Sequence, residues 1–185
     1  WSSGGRIENC FIAENTVVGS GGGVFFGGAP YTPLLKNCLI KSNTATIEGG
    51  GVTSDWYAAP TILNCTLVDN KANDANVSGR GRGGALACAY ESNTTLTNSI
   101  LWGNTGQTGS QISIGGKSDS IYLQRPATLN VRFSDVQGGQ SAVHVEAGRT
   151  LNWFQNNIDA DPRFTAGYFL SQTAAGQSVN SPCVD

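Results

Sequence analysis

Charge is scarce in this chain. Asp, Glu, Lys and Arg make up 13% of 185 residues, about half the roughly 25% of an ordinary soluble domain. The balance is −2, so no basic field exists to hold a phosphate backbone, and nucleic-acid binding is disfavoured. Methionine is absent and His144 is the one histidine. Without a Cys-x-x-Cys pair or a Cys/His grouping, a structural zinc site has no ligand set. No apolar run approaches the ~18–20 residues of a membrane helix, so no membrane span is expected. Disorder is disfavoured by 39% hydrophobic and 9% aromatic content. A methionine start and a charged-then-apolar leader are missing at Trp1, which reads as a processed product or a piece of something longer.

Glycine, by contrast, is abundant at 25 residues, near twice its usual ~7% share. It belongs to a repeat. Four segments align: Ile7–Asn15, Leu35–Asn43, Ile62–Asn70 and Leu96–Asn104, each carrying Asn-Cys or Asn-Ser near its centre, and Val131–Val136 keeps the first half. The small residues fall at 10, 38, 65, 99 and 134, in steps of 28, 27, 34 and 35. A second block follows, as Gly22-Gly-Val24, Gly50-Gly-Val52 and Gly84-Ala-Leu86, with a looser copy at Gln111–Ile114. Within each block the apolar period is two, the mark of strands. Asn, Gly and Pro close each strand too soon for helices.

A winding of 27–35 residues suits two or three short strands joined by turns. One such winding cannot bury its inner face, but a stack of them can. Equivalent positions then become vertical neighbours. Asn9, Asn37, Asn64 and Asn98 fall at a corner needing a left-handed backbone, which Asn tolerates. Asn15, Asn43, Asn70 and Asn104 form a second column, whose amides can bond up the stack. Cys10, Cys38 and Cys65 form a column of small interior side chains, read as close packing rather than metal or redox chemistry. One strand spacing separates them, too far for a relaxed bridge. The five cysteines are an odd set; Cys88 and Cys183 are free to pair, without a sequence signal that they do.

These blocks resemble the right-handed parallel β-helix repeats of secreted and surface-exposed bacterial proteins. They are similar to polymorphic outer-membrane protein repeats, which combine Gly-Gly-Ala-aliphatic with aromatic-or-aliphatic-x-x-Asn; here aliphatics stand in the aromatic position. Ser134–Gly139, Asn157–Pro162, Tyr168 and Ser181–Asp185 resemble the closing segment of many bacterial β-helix proteins. The resemblance implies an all-β, right-handed parallel β-helix of about five coils, with coils over 1–150 and an irregular C-terminal cap over 151–185. It also implies a secreted or cell-surface address. It does not choose among adhesins, autotransported proteins and polysaccharide-degrading enzymes.

Catalytic signals are thin. β-helix lyases and hydrolases usually work on the outer face of one sheet, where Phe25, Thr53, Ala87 and Ser113 are expected to point, and none of these ionises. A glycosidase needs two facing carboxylates, and no acids stack at equivalent repeat positions. The Asn-x-Asp, Asp-Asp and Gly-His-Gly set of polygalacturonases is missing, and His144 reads as a surface or satisfied strand residue. No catalytic residue is assigned. Asp159 and Asp161, with Asn156 or Asn157, are a candidate Ca²⁺ set, against the plainer reading that Asp-Ala-Asp-Pro is turn chemistry. Arg80 and Arg82, in an Asn/Gly-rich insertion, are either a grip on an anion or simply solvated.

The corner after the glycine block is richer. Tyr31, Trp56, Tyr57, Tyr90 and Tyr122 recur there, with Asp55 and Glu91 beside them, the aromatic-plus-acid pairing of a glycan-binding platform. The bland alternative is aromatics folding over their own loops. Outward positions of the Asn-Cys strand are also apolar: Phe11, Leu39, Thr66 and Ile100, then Ala13, Lys41, Val68 and Trp102. Such a face needs a cover, expected from the tail with Trp153, Phe154, Ile158, Phe164, Tyr168, Phe169 and Leu170. The first expectation is a non-catalytic extracellular scaffold or adhesion module touching glycans or another cell-surface partner. The alternatives are a carbohydrate-active enzyme and a self-assembling subunit joined through coil ends or the apolar face.

Overall fold

The computed structural model describes residues 4–28, 30–74, 79–116 and 125–183. Strands are all short, and they stack in four parallel sheets. The first holds Arg6–Glu8, Leu34–Lys36, Thr61–Leu63, Asn93–Thr97, Thr128–Arg132 and Thr150–Trp153. In the second lie Phe11–Ala13, Leu39–Lys41, Thr66–Val68, Ile100–Trp102 and Asp135–Val136. Two-residue strands make the third: Thr16–Val17, Thr44–Ala45, Lys71–Ala72 and Thr105–Gly106. The fourth comprises Val24–Phe26, Val52–Ser54, Leu86–Cys88, Ile112–Ile114 and His144–Val145. Each strand pairs with its equivalent one winding away, which makes a parallel β-helix. A winding carries four strands rather than two or three, because the third is too short for any alternation to show in sequence.

Inward residues line up by register. Leu35, Ile62, Leu96 and Val131 form one row, and Ile40, Leu67, Leu101 and Val136 another, all buried. Each such side chain contributes roughly 1.5–3 kcal/mol on burial. Two corners explain the repeated polar residues. Between the first and second sheets Asn9, Asn37, Asn64 and Asn98 have φ of 55°, 52°, 53° and 50°, the left-handed region. Their amides form a ladder: Asn37 donates to Asn9 (3.1 Å), Asn64 to Asn37 (3.2 Å) and Asn98 to Asn64 (2.9 Å). Before the third sheet, Asn43 Oδ1 accepts both the backbone N–H and the amide of Asn15, and Asn70 and Asn104 repeat this for Asn43 and Asn70. Asn43 and Asn70 are 0% exposed. Glycine at 50 is forced by close approach, since a Cβ there would meet the Lys71 and Gly84 backbone at about 2.5 Å.

Of the expected interior column, Cys38 and Cys65 are buried, whereas Cys10 is exposed because no winding covers the first one. All five cysteines are free. Cys38 and Cys65 donate weakly to Lys36 O and Leu63 O (3.2 and 3.3 Å). Ser99 and Ser134 make the same bond to Thr97 O and Arg132 O, so hydroxyls continue the column. Burial pushes the Cys65 thiol up to about 12 and raises Cys38, which leaves these two as inert packing groups. Cys88 is fully buried behind the fourth sheet, whereas Cys183 donates to Asp135 Oδ2 (3.1 Å).

The stack runs past the expected boundary at 150, since Thr150–Trp153 joins the first sheet and Ile158 pairs in parallel with Asp135 at the edge of the second. The chain then returns over the second sheet's outer face, where the Tyr168 hydroxyl donates to Asp69 (2.5 Å) and the Lys41 ammonium lies 5.1 Å over the Tyr168 ring. That bond to Asp69 pushes the Tyr168 phenol up to about 12. Val68, an outward position, is 1% exposed, while Phe11 in the first winding is 67% exposed. A chain ending at Pro162 should therefore self-associate and light up a hydrophobic dye. If the shortened chain stayed monomeric and dye-silent, the tail would not be the cover.

Candidate functional site

Two successive windings leave the fourth sheet through the same tight turn, Asp55-Trp56-Tyr57-Ala58 and Ala89-Tyr90-Glu91-Ser92. In each, the fourth N–H donates to the first carbonyl (3.1 and 3.0 Å). Both central residues have positive φ: 45° and 65° at Trp56 and Tyr57, 38° and 63° at Tyr90 and Glu91. That is the φ signature of a type I′ turn, normally filled by Gly, Asn or Asp. An aromatic side chain in such a position costs on the order of 1 kcal/mol. Four such positions thus fall in one patch.

The strain presents a flat group. Trp56 and Tyr90 stack with centroids 5.4 Å apart and planes 26° apart, and Gly116 lies so close to the Tyr90 ring that a Cβ there would meet it at 2.9 Å. Arg125 donates to the Tyr57 hydroxyl (2.6 Å) and to Glu91 Oε1 (3.1 Å), binding the two turns together. Trp56 is 36% and Tyr57 41% exposed. Two expected members do not join them. Tyr31 folds onto its own loop, its hydroxyl donating to Gly27 O and accepting from Gly27 N. Asp55 is buried, its Oδ1 accepting the Trp56 N–H (2.8 Å), and burial pushes it up to about 6 against that bond. Tyr122 lies outside the described residues.

A second cluster escaped the sequence reading. The residues just ahead of the glycine block, Ser20, Glu48, Arg82 and Thr108, bridge one another from winding to winding. They lie against the outer face of the fourth sheet: Thr53 Oγ1 donates to Glu48 O (3.0 Å). Thr53, Ala87 and Ser113 are consequently 0% exposed, and only Phe25 of that column is open. His144 takes the rung beside Ser113. Arg82 is ion-paired with Glu146, which Arg149 also approaches (3.8 Å). Glu48 Oε2 is buried without a partner. Burial, then Asp55, pushes the Glu48 carboxyl up to about 8, with Arg82 opposing. Burial thus favours its protonated, neutral form. The signal available in sequence was an acid and an arginine at one repeat position, each followed by Gly-Gly.

The family model described as Right handed beta helix region matches residues 1–177. The chain belongs to that family. No curated protein and no solved structure matches it. In this right-handed β-helix the remaining sequence candidates serve the backbone. Asp159 Oδ1 accepts Gly138 N–H (2.9 Å), Asp161 Oδ1 accepts Arg163 N–H (2.8 Å), and Asn157 Oδ1 accepts Ser134 N–H (3.0 Å). Among the described residues no group of three His, Cys, Asp or Glu is placed to hold a metal, and no helix is long and apolar enough to cross a membrane. Arg80 pairs with Asp74 (2.9 Å) rather than standing solvated.

Proposed function

We propose that this β-helix is a non-catalytic scaffold or adhesion module of the secreted, cell-surface bacterial type, and that its aromatic corner contacts glycans. The reading rests on the paired turns that hold Trp56, Tyr57, Tyr90 and Glu91 in left-handed backbone while Trp56 and Tyr90 stack. A pre-set aromatic face loses little rotamer freedom on binding and matches the apolar face of a pyranose ring. Glu91 and Arg125 supply acceptor and donor at its edge. The enzyme alternative is weakened by burial, because Glu48, Asp55 and Asp135, the acids that burial pushes up, are 2%, 5% and 3% exposed.

Replacing Trp56 and Tyr90 together with alanine should abolish retention on a glycan array. Circular dichroism should stay unchanged, since both side chains sit outside the core. Retention equal to that of the parent chain would reject the platform.

A further inference from the structure

The exposed asparagine ladder is directional, and it ends abruptly. Each amide donates to the Oδ1 of the winding before it, so each Oδ1 awaits an N–H from the winding after. Asn98 is the last donor. At the next rung the same left-handed corner carries Phe133 (φ 51°), whose side chain has no amide to continue the ladder. Among the described residues nothing donates to Asn98 Oδ1. This open acceptor borders a cleft of about 640 Å³ between the second sheet and the tail. Ile100, Ile158 and Leu170 supply apolar wall, and Phe133 offers a 55% exposed ring. The one carboxylate in the lining, Asp135, is buried and takes the Cys183 thiol. Among the described residues the cleft thus offers a ligand no exposed charge.

We propose that this cleft binds a 2-acetamido sugar: its acetamido N–H continues the ladder onto Asn98 Oδ1, its methyl group packs on the aliphatic wall, and its ring lies on Phe133. A neutral ligand carrying an amide N–H next to a methyl answers each feature of the cleft, and a plain hexose answers only the ring. The site is separate from the Trp56 corner and does not depend on it.

Calorimetric titration of the whole chain with N,N′-diacetylchitobiose should give saturable binding, and cellobiose none. Asn98→Ala and Phe133→Ala should each weaken binding about tenfold, the loss of one hydrogen bond or one ring contact. Trp56→Ala should leave it unchanged. Phe133→Asn carries the test further, because an amide at this rung fills Asn98 Oδ1 from within. That variant should melt at a higher temperature and no longer bind. Absent binding, equal binding of cellobiose, or affinity indifferent to residues 98 and 133 would each overturn the site. Loss of binding in Trp56→Ala alone would move the sugar to the aromatic corner and likewise overturn it.

Discussion

Asn70→Ala should lower the unfolding free energy by about 4 kcal/mol, a large share of what holds a domain of this size together. Asn70 is fully buried, and its side chain closes four bonds at once. Its Oδ1 accepts the backbone N–H and the amide of Asn43 (both 3.0 Å), and its Nδ2 donates to Ile40 O and to Asn104 Oδ1 (both 2.9 Å). Alanine strands the Asn43 N–H and the Ile40 carbonyl away from water, at roughly 1–3 kcal/mol for each group left unpaired. Asn15 makes a useful contrast. It occupies the same column in the first winding but is exposed, so Asn15→Ala should cost less than about 1 kcal/mol. Urea titration of both variants decides the matter. Equal, small losses would mean that water replaces the amides.

Stability should also fall as pH rises through the range set by Glu48. Its carboxyl is held at about 8 in the folded chain against 4.5 in the unfolded one. Between those values the native state binds the extra proton, so this group's contribution is complete below the unfolded value and is lost as pH climbs to the folded one. Asp55, raised to about 6, acts in the same direction but is largely spent by neutrality. From about pH 6.5 to about pH 9, the parent chain should lose on the order of 2 kcal/mol that Glu48→Gln retains. Gln keeps the shape and the neutrality of the protonated acid. Denaturation midpoints at the two pH values test this, and parallel losses in both chains would show that Glu48 ionises without penalty.

The parts of this molecule that could be read from sequence are those that recur. Asn-Cys and Gly-Gly stand at fixed places in three or four windings because each is answered by a copy of itself one rung away, as with Asn37 between Asn9 and Asn64. The aromatic corner was legible for a related reason, since Trp56 and Tyr90 sit at equivalent places in adjacent windings and their rings meet. Asp55 was misjudged because neighbours in sequence differ in exposure at a turn: it faces in and caps the Trp56 N–H. The cluster of Glu48 and Arg82 was missed because the column reads Ser, Glu, Arg, Thr, and its last ion-pair partner, Glu146, lies outside the repeat. Tyr168 could be assigned to the cover but not to Asp69, 99 residues earlier, since no spacing rule connects them.

The amide columns bear on how the chain comes to be folded. Every rung bonds to one made 27, 28 or 34 residues before it, so the entropy of closing each loop is nearly the same from first to last. A nascent strand meets a finished template waiting at a fixed distance, and its own completion prepares the edge for its successor. Growth of this kind can keep pace with vectorial synthesis, leaving about one turn of chain unpaired at any moment.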